Sequence, residues 1–547
     1  MEIKTVNPVD DPDYIQPAQK IESAKDIQDN WALYLTDESR MDGGKADSIV
    51  FPHSEQQVSA ILSDAWKKDI PVTISAARTG IVGGCIPMGG TLISLERLQK
   101  ITGFRIDKPR GLIYLRVQPG LSLEDLKERL DNQKLADLLT DETIAKNPDF
   151  MAFNQESDAW FYPVDPTEWT AHIGGTVATN ASGGRSFRYG QTRSHVSRLR
   201  CCLAGGAILD MRRGQYPFSS KDPLFLAGAG ERREIPFPAY QSPNIKNTAG
   251  YFARDPMDLM DLFIGSEGTL GVITDIEIVL TRKPSQIFGA VAFFPSEESA
   301  IRFVTLAREK ENRNSPGIQP TTLEFFDRNA LTLLVESKSL EKGPAIPDHT
   351  GAGIYFEQEC TEETLDTILM AYDALLSECG VSLDNTWGAF DEKELHQMSE
   401  FRHQIPETVN RIIGQRKSKI PGLHKVSTDF VVPDTALDVI MPYYHETCRK
   451  AGLNYVIFGH IGENHVHLNI LPEDEQSLEK AKAVYKEMAR KVVSLGGTVS
   501  GEHGIGKLKK ELLRYMYPEE SLASMQQVKA ALDPKGILGQ GTLFELC

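Results

Sequence analysis

Four of the chain's twelve histidines fall into two short segments. The first is Gly459-His460-Ile461-Gly462-Glu463-Asn464-His465-Val466-His467-Leu468-Asn469. Three imidazoles within eight residues are an ordinary way to hold Zn²⁺ or another divalent transition metal. If residues 465–470 form a strand, His465, His467 and Asn469 share one face, because strand side chains alternate. A turn at Gly462 to Asn464 then folds His460 back beside them. The second segment, Ser500-Gly501-Glu502-His503-Gly504-Ile505-Gly506-Lys507, puts a carboxylate and an imidazole on a glycine-flanked turn. An imidazole titrates near pH ~6.5 and suits proton transfer at neutral pH. His53, His349, His396 and His445 have no such company and read as structural. Arg402, in Phe401-Arg402-His403-Gln404-Ile405-Pro406-Glu407, is either a solvated helix charge or a carboxylate clamp.

A second chemistry is written in glycine. Thr79-Gly80-Ile81-Val82-Gly83-Gly84, Ile173-Gly174-Gly175-Thr176, Asn180-Ala181-Ser182-Gly183-Gly184 and Gly265-Ser266-Glu267-Gly268-Thr269-Leu270-Gly271 lie between strand-like runs. Glycine lets backbone approach a ligand closely, and bare N–H groups make a concavity for phosphate oxygens. Each segment alone reads as a tight turn; together they fit one extended ligand with a diphosphate lying across several loops. None has the G-x-G-x-x-G order of a nicotinamide turn or the G-x-x-x-x-G-K-[ST] of a phosphate loop, which disfavours a nicotinamide enzyme and an ATPase.

The elements that must position these residues belong to a 547-residue chain, too long for one core. A net charge of −17 argues against a nucleic-acid footprint. No window reaches the length of apolar run a membrane span needs, and the start lacks a secretory signal. The seven cysteines are widely spaced with no C-x-x-C, and read as free thiols of a reducing compartment, the cytoplasm. Helical spacing is expected over 55–67 and from Leu478, and strands at 70–74, 91–95 and 112–117. After Lys283-Pro284 the pattern becomes strand–helix alternation, which predicts helices on one face of an antiparallel sheet. The first 40 or so residues, polar and rich in Asp and Pro, predict an extended arm.

The glycine segments, with Tyr189-Gly190, Val272-Ile273-Thr274 and Gly501-Glu502-His503-Gly504-Ile505-Gly506, resemble the flavoprotein family that includes vanillyl-alcohol oxidase. Within it the chain looks like the branch of D-lactate dehydrogenase, D-2-hydroxyglutarate dehydrogenase and glycolate oxidase. The resemblance runs from about residue 45 to the C-terminus. It implies an α+β protein with a discontinuous, two-lobed FAD-binding domain and an α+β cap domain built on an antiparallel sheet. The expected division is an arm (1–44), the FAD domain (45–284), the cap (285–499) and a C-terminal segment returning to the FAD domain (500–547).

Carried over residue by residue, the resemblance assigns Ser75, Ala76, Ala77, Arg78, Thr79 and Gly80 to the FAD pyrophosphate. Gly174, Thr176, Asn180, Gly183, Gly184, Tyr189, Glu267, Gly268 and Val272 line the rest of the cofactor groove. His460 and His467 match the metal-binding histidines of the family's H-x-G-D-G-N-x-H, Glu502 the third ligand and His503 the general base. Lys246-Asn247-Thr248-Ala249-Gly250-Tyr251 is similar to a loop near the flavin edge. Arg402 and, more weakly, Lys425 are expected to hold a substrate carboxylate, with His465 beside them or joining the ligands. The chain departs from the family where R-G-G-G-T-G becomes Ser75-Ala76-Ala77-Arg78-Thr79-Gly80, with Arg78 offering charge to the pyrophosphate. It departs again where Glu463-Asn464-His465 replaces D-G-N.

The implied activity is FAD-dependent oxidation of a D-2-hydroxy acid, with a divalent metal and an acceptor other than NAD. That acceptor is a quinone, a cytochrome, an electron-transfer flavoprotein or an iron–sulfur partner subunit. The expected location is cytoplasmic, peripheral to a membrane only through such a partner. The alternatives are an ether-lipid (alkylglycerone-phosphate) synthase, an alcohol oxidase of the same family and a degenerate flavoprotein without catalysis.

Overall fold

A computed structural model describes the chain except residues 6–16, 229–230, 313–316, 337–343, 345, 383–384 and 546–547. The first domain has two lobes. The smaller is a four-stranded sheet in the order Gln19–Ile21, Ser48–Phe51, Thr91–Ser94, Val72–Ser75, parallel over its last three strands. The larger is antiparallel, in the order Ile208–Arg212, Val196–Cys202, Val272–Arg282, Leu112–Val117, Ile101–Asp107. The helix Glu55–Lys67, capped by Ser54, buries Val58, Leu62 and Ala65 in a core shared with Val50 and Val72 of one lobe and Cys202 and Ile208 of the other. It pins the lobes to each other and leaves a cleft between them.

The expected extended arm, in its described parts, runs along sheet edges and includes the short helix Ala24–Asn30. Glu2–Lys4 pairs parallel with Leu224–Gly228, and Gln19–Ile21 pairs antiparallel with Ser48–Phe51. Ile3, Ile27 and Leu35 are buried. Few apolar residues suffice to anchor a segment when open sheet edges are there to receive its backbone.

The second domain is one seven-stranded antiparallel sheet: Thr386–Ala389, Gln286–Phe294, Ala352–Cys360, Pro320–Asp327, Tyr455–His460, His465–Ile470, Val426–Ser427. Its helices cover both faces, which corrects the one-face expectation. Arg328–Glu336 and Glu392–Lys417 pack on Val291, Phe293, Phe326 and Tyr355. Glu297–Asn312 and Glu362–Glu378 pack on the opposite-parity side chains, among them Phe294, Ile354 and Phe356. The reason is legible in 287–294, an unbroken apolar run suited to burial on two faces.

The last segment leaves this sheet at Ser500 and returns to the first domain. Ile537 accepts from the Val72 N–H (2.7 Å) and Gly539 donates to the Val72 carbonyl (2.9 Å), extending the small sheet. Lys529, buried, fixes that return by donating to the carbonyls of Thr269 (2.6 Å) and Leu538 (2.9 Å) and pairing with Asp533.

Candidate active site

A cavity of about 350 Å³ lies in the cleft, within the size range of small-molecule sites. Ala76, Ala77, Arg78, Thr79 and Gly80 line it from one side; Gly174, Thr176, Gly183, Glu267 and Gly268 line it from others. Gly175 brings backbone so near that an added Cβ would stand 3.3 Å from the Ala76 Cβ. Arg78 holds a left-handed backbone (φ 63°) and lays its guanidinium 4.2 Å over the Tyr34 ring, so its charge is partly committed there. Glu267 ties the cleft to the Glu-His turn by accepting the N–H groups of Ile505 (2.8 Å) and Gly506 (2.7 Å); burial pushes its carboxyl up to about 7.

Five groove assignments land elsewhere. Val272 is fully buried in the core, and its neighbours Gly271 and Ile273 line the cavity instead, as strand alternation dictates. Tyr189 lines a separate cavity of about 500 Å³ and hydrogen-bonds Glu359. Asn180 closes the helix Ile173–Thr179 in a left-handed conformation and accepts the Arg193 N–H (2.9 Å). Ser75 is buried within its strand, outside the cavity lining. Gly184 backs onto Arg402 and Glu324: a Cβ there would come within 2.9 Å of both side chains.

His460, Glu502 and His503 close one end of the cavity. Around Glu502 the two histidine segments meet, although separated in sequence by the helix Glu475–Ser494. One atom each from His460, His465, His467 and Glu502 lies within 4.8 Å of all the others. His460 sits at the end of the strand Tyr455–His460; a short turn with Asn464 at φ 53° brings the chain back into His465–Ile470. His460 Nδ1 lies 2.7 Å from Glu324 Oε1 and its Nε2 3.6 Å from Glu502. His467 Nδ1 lies 3.1 Å from the Thr428 carbonyl and its Nε2 3.4 Å from Glu502. His465 is fully buried, its Nε2 2.9 Å from Asp429 Oδ1. It stands inside this cluster and not among the cavity-lining residues expected of a substrate contact.

Asp429 is the hub of the polar network beside His503. It accepts the N–H groups of Glu502 and His503 (3.2 Å each), Ser500 Oγ (2.6 Å) and Lys509 Nζ (2.8 Å). His503 Nδ1 lies 3.5 Å from Asp429 Oδ1 and its Nε2 3.5 Å from Glu502 Oε1. Burial lowers the His503 pKa from its ordinary 6.5, against the pull of Asp429 and Glu502, so the ring is neutral at pH 7. Glu324 is opposed by its burial but held down at about 2 by Arg402 and His460.

Arg402 lies on the helix Glu392–Lys417, started by an Asp391 cap, and places Nη2 3.2 Å from Glu324. Pro406, one turn on, has no N–H to give the Arg402 carbonyl. Lys425 instead donates to Asn410 (2.9 Å) and is lowered by burial; it lines neither cavity. Lys246 is 1% exposed and sits 3.2 Å from both Glu502 and Glu463. Those two carboxylates outweigh its desolvation and keep it charged.

Glu324, Asp429 and Lys509 escape a reading of the histidine motifs. Glu324 and Asp429 do leave a trace, each a carboxylate flanked on both sides by apolar or uncharged residues (321–326 and 426–432), where burial without a partner is prohibitive. Both turn out to be 1% exposed and paired.

Comparison with known proteins places this architecture. Residues 283–543 match the family described as FAD linked oxidases, C-terminal domain, and residues 46–141 and 152–212 match an FAD binding domain. The chain belongs to the FAD-linked oxidases of the vanillyl-alcohol oxidase type, a family of flavin oxidoreductases. It is 25% identical to "Glycolate oxidase subunit GlcD" of Bacillus subtilis (strain 168), covering 91% of this chain and 89% of that one. It is 27% identical to a D-lactate dehydrogenase of Archaeoglobus fulgidus (90% of each) and 26% to a D-2-hydroxyglutarate dehydrogenase of Stutzerimonas stutzeri (91% and 90%). Among solved structures, p-cresol methylhydroxylase with substrate bound aligns with a TM-score of 0.64 at 13% identity, over 96% of this chain and 94% of that one. An alkyldihydroxyacetonephosphate synthase aligns with a TM-score of 0.57 at 16% identity (90% and 76%). These two likenesses concern the fold alone.

Proposed function

We propose that the chain oxidises a D-2-hydroxy acid to the 2-oxo acid, with FAD in the cleft and a divalent metal held by His460, His467 and Glu502. The observation that carries this is the placement of His503 beside that donor set, at one end of the cavity lined by the FAD segments. The donor set fits a transition metal: His460 and His467 each have one nitrogen engaged by an outer carboxylate or carbonyl, leaving the other for the ion. FAD, when bound, supplies a two-electron acceptor, and a divalent ion supplies Lewis acidity toward a hydroxyl.

The side chains do the rest. His503, neutral, with Nδ1 3.5 Å from Asp429 Oδ1 and Nε2 3.5 Å from Glu502 Oε1, takes the hydroxyl proton on Nε2, and Asp429 stabilises the imidazolium that forms. Glu324 orients His460 while pairing with Arg402, which lines neither cavity and is assigned to the substrate carboxylate on its guanidinium chemistry and the resemblance alone. Lys246 offsets the charge of Glu502 and Glu463 without entering the cavity. The acceptor of the electrons is a proposal by class only: a quinone, a cytochrome, an electron-transfer flavoprotein or an iron–sulfur protein.

The test is the visible spectrum without oxygen, before and after adding D-lactate, D-2-hydroxyglutarate or glycolate. Bleaching of the flavin band by one acid, abolished by a chelator, is the expected result. A flavin band that no 2-hydroxy acid bleaches would overturn the reading and favour an ether-lipid synthase or alcohol oxidase.

A further inference from the structure

We infer that His465 is itself a metal ligand through Nδ1, so that this chain presents three imidazoles and one carboxylate. The inference rests on the metal half of the reading above and extends it to a residue that the family motif does not supply, since asparagine is the expected type at 465.

The argument is one of hydrogen-bond accounting. A neutral imidazole has one N–H and one bare lone pair. Asp429, a carboxylate that can only accept, lies 2.9 Å from His465 Nε2, so the proton sits on Nε2 and the lone pair is on Nδ1. That Nδ1 has no hydrogen-bond partner, and the side chain is 0% exposed. Its nearest carboxylate oxygen, Glu502 Oε2, is 3.9 Å away, too far for a hydrogen bond and itself an acceptor. A buried acceptor left in this state costs on the order of 1–3 kcal/mol. A cation among these atoms removes that cost, and His460 Nε2, His467 Nε2 and Glu502 converge on the same space.

The ring is also built in. An added Cβ at Gly501 would stand 2.9 Å from His465 Cε1 and Nε2, and one at Gly459 would stand 2.8 Å from the His467 ring. Both glycines therefore let backbone press on the imidazoles. Asp429 is fixed in turn by Ser500, Lys509 and two backbone N–H groups. All three rings thus have one nitrogen satisfied from outside, the arrangement by which proteins orient metal-binding histidines. An imidazole-rich set of this kind favours zinc, cobalt, nickel or iron over magnesium and calcium.

The experiment uses the full-length flavoprotein, stripped with a chelator and reloaded with Co²⁺. X-ray absorption at the cobalt edge counts the imidazoles, and competition with a chromophoric chelator gives affinity. Three imidazoles in the unaltered protein, a shifted cobalt spectrum in His465→Asn and a loss of affinity on the order of 100-fold are expected. His465→Gln serves as a second variant, and flavin content with the melting midpoint of the metal-free protein reports whether each variant folds. Two imidazoles in the unaltered protein, or a folded His465→Asn with unchanged cobalt spectrum and affinity, would overturn the inference and leave the proposed function standing. Three imidazoles in a protein whose flavin no hydroxy acid bleaches would overturn the activity and leave His465 as a ligand. No cobalt bound at all would overturn the inference and the metal half of the reading together.

Discussion

His503 touches the cavity with one ring edge and Asp429 with the other, so its substitution separates chemistry from cofactor binding. His503→Ala is expected to slow flavin reduction by about 10²–10⁴-fold, the usual worth of a general base, with the flavin still bound. Stopped-flow bleaching measures the rate and the visible spectrum the flavin; unchanged reduction would remove His503 from the mechanism. The same residue sets the pH profile. With His503 as the proposed base the neutral ring is the active form; burial lowers its pKa, so activity is expected to hold at neutral pH and to fall as the pH drops. The midpoint of that acid limb in kcat/KM should lie below the ordinary 6.5, because the folded environment favours the uncharged ring. A midpoint above it would mean that Asp429 and Glu502 outweigh burial.

At the scale of elements, the site depends on a strand pair and one turn meeting without a gap. Gly501 lies where a methyl group would stand 2.7 Å from Val431 Cγ2 and 2.9 Å from the His465 ring. Gly501→Ala is therefore expected to cost about 1–3 kcal/mol, as overpacking does, and to weaken metal retention with it. A urea titration and a metal assay of the same preparation check both parts; a stable variant with full metal content would show that the turn can relax. The local elements were largely readable. The helix at 55–67 follows from spacing alone; the strand supposed at 465–470 is present, and the common face of His465 and His467 follows from it. Which helices cover which face of the large sheet was not readable, because an unbroken apolar run such as 287–294 carries no mark of direction. Val272 and Tyr189 show the same limit at the groove: a motif names a segment, and the local alternation or turn decides which of its side chains faces the ligand.

At the scale of the whole molecule, the chain returns to its own beginning. Lys529 and Asp533, both nearly inaccessible, clamp the C-terminal segment to the loop that carries Glu267 and Gly268. Lys529→Met strands the buried Asp533 carboxylate and is expected to cost about 3–5 kcal/mol, read as a lower urea midpoint together with weaker FAD retention. An unaltered midpoint would mean that the clamp is dispensable. Ligand and fold are linked across the same cleft: FAD at a hundredfold excess over its Kd should raise stability by about 2.7 kcal/mol. A chelator should lower the melting temperature yet leave the flavin spectrum, since the candidate metal donors and the cavity-lining residues coincide only at His460 and Glu502. Loss of flavin on chelation would mean the two sites are one structural unit. No described helix is long and apolar enough to cross a membrane.

Residue types and spacing pointed to a candidate metal-ligating and proton-transferring set and to glycine loops suited to an extended phosphate-bearing cofactor, and the resemblance carried by those segments implied the FAD-linked oxidase architecture. Those signals are local, carried by side-chain chemistry and by backbone that only glycine allows. The pairing of His460 with Glu324 across 136 residues, of His465 with Asp429 across 36 and of Lys246 with Glu502 across 256 belongs to the tertiary structure. Each joins a charged or polar group to a partner that no local pattern names. Burial makes an unpaired charge untenable, so the sequence announces that a partner must exist, but only the packing of distant strands decides which one it is.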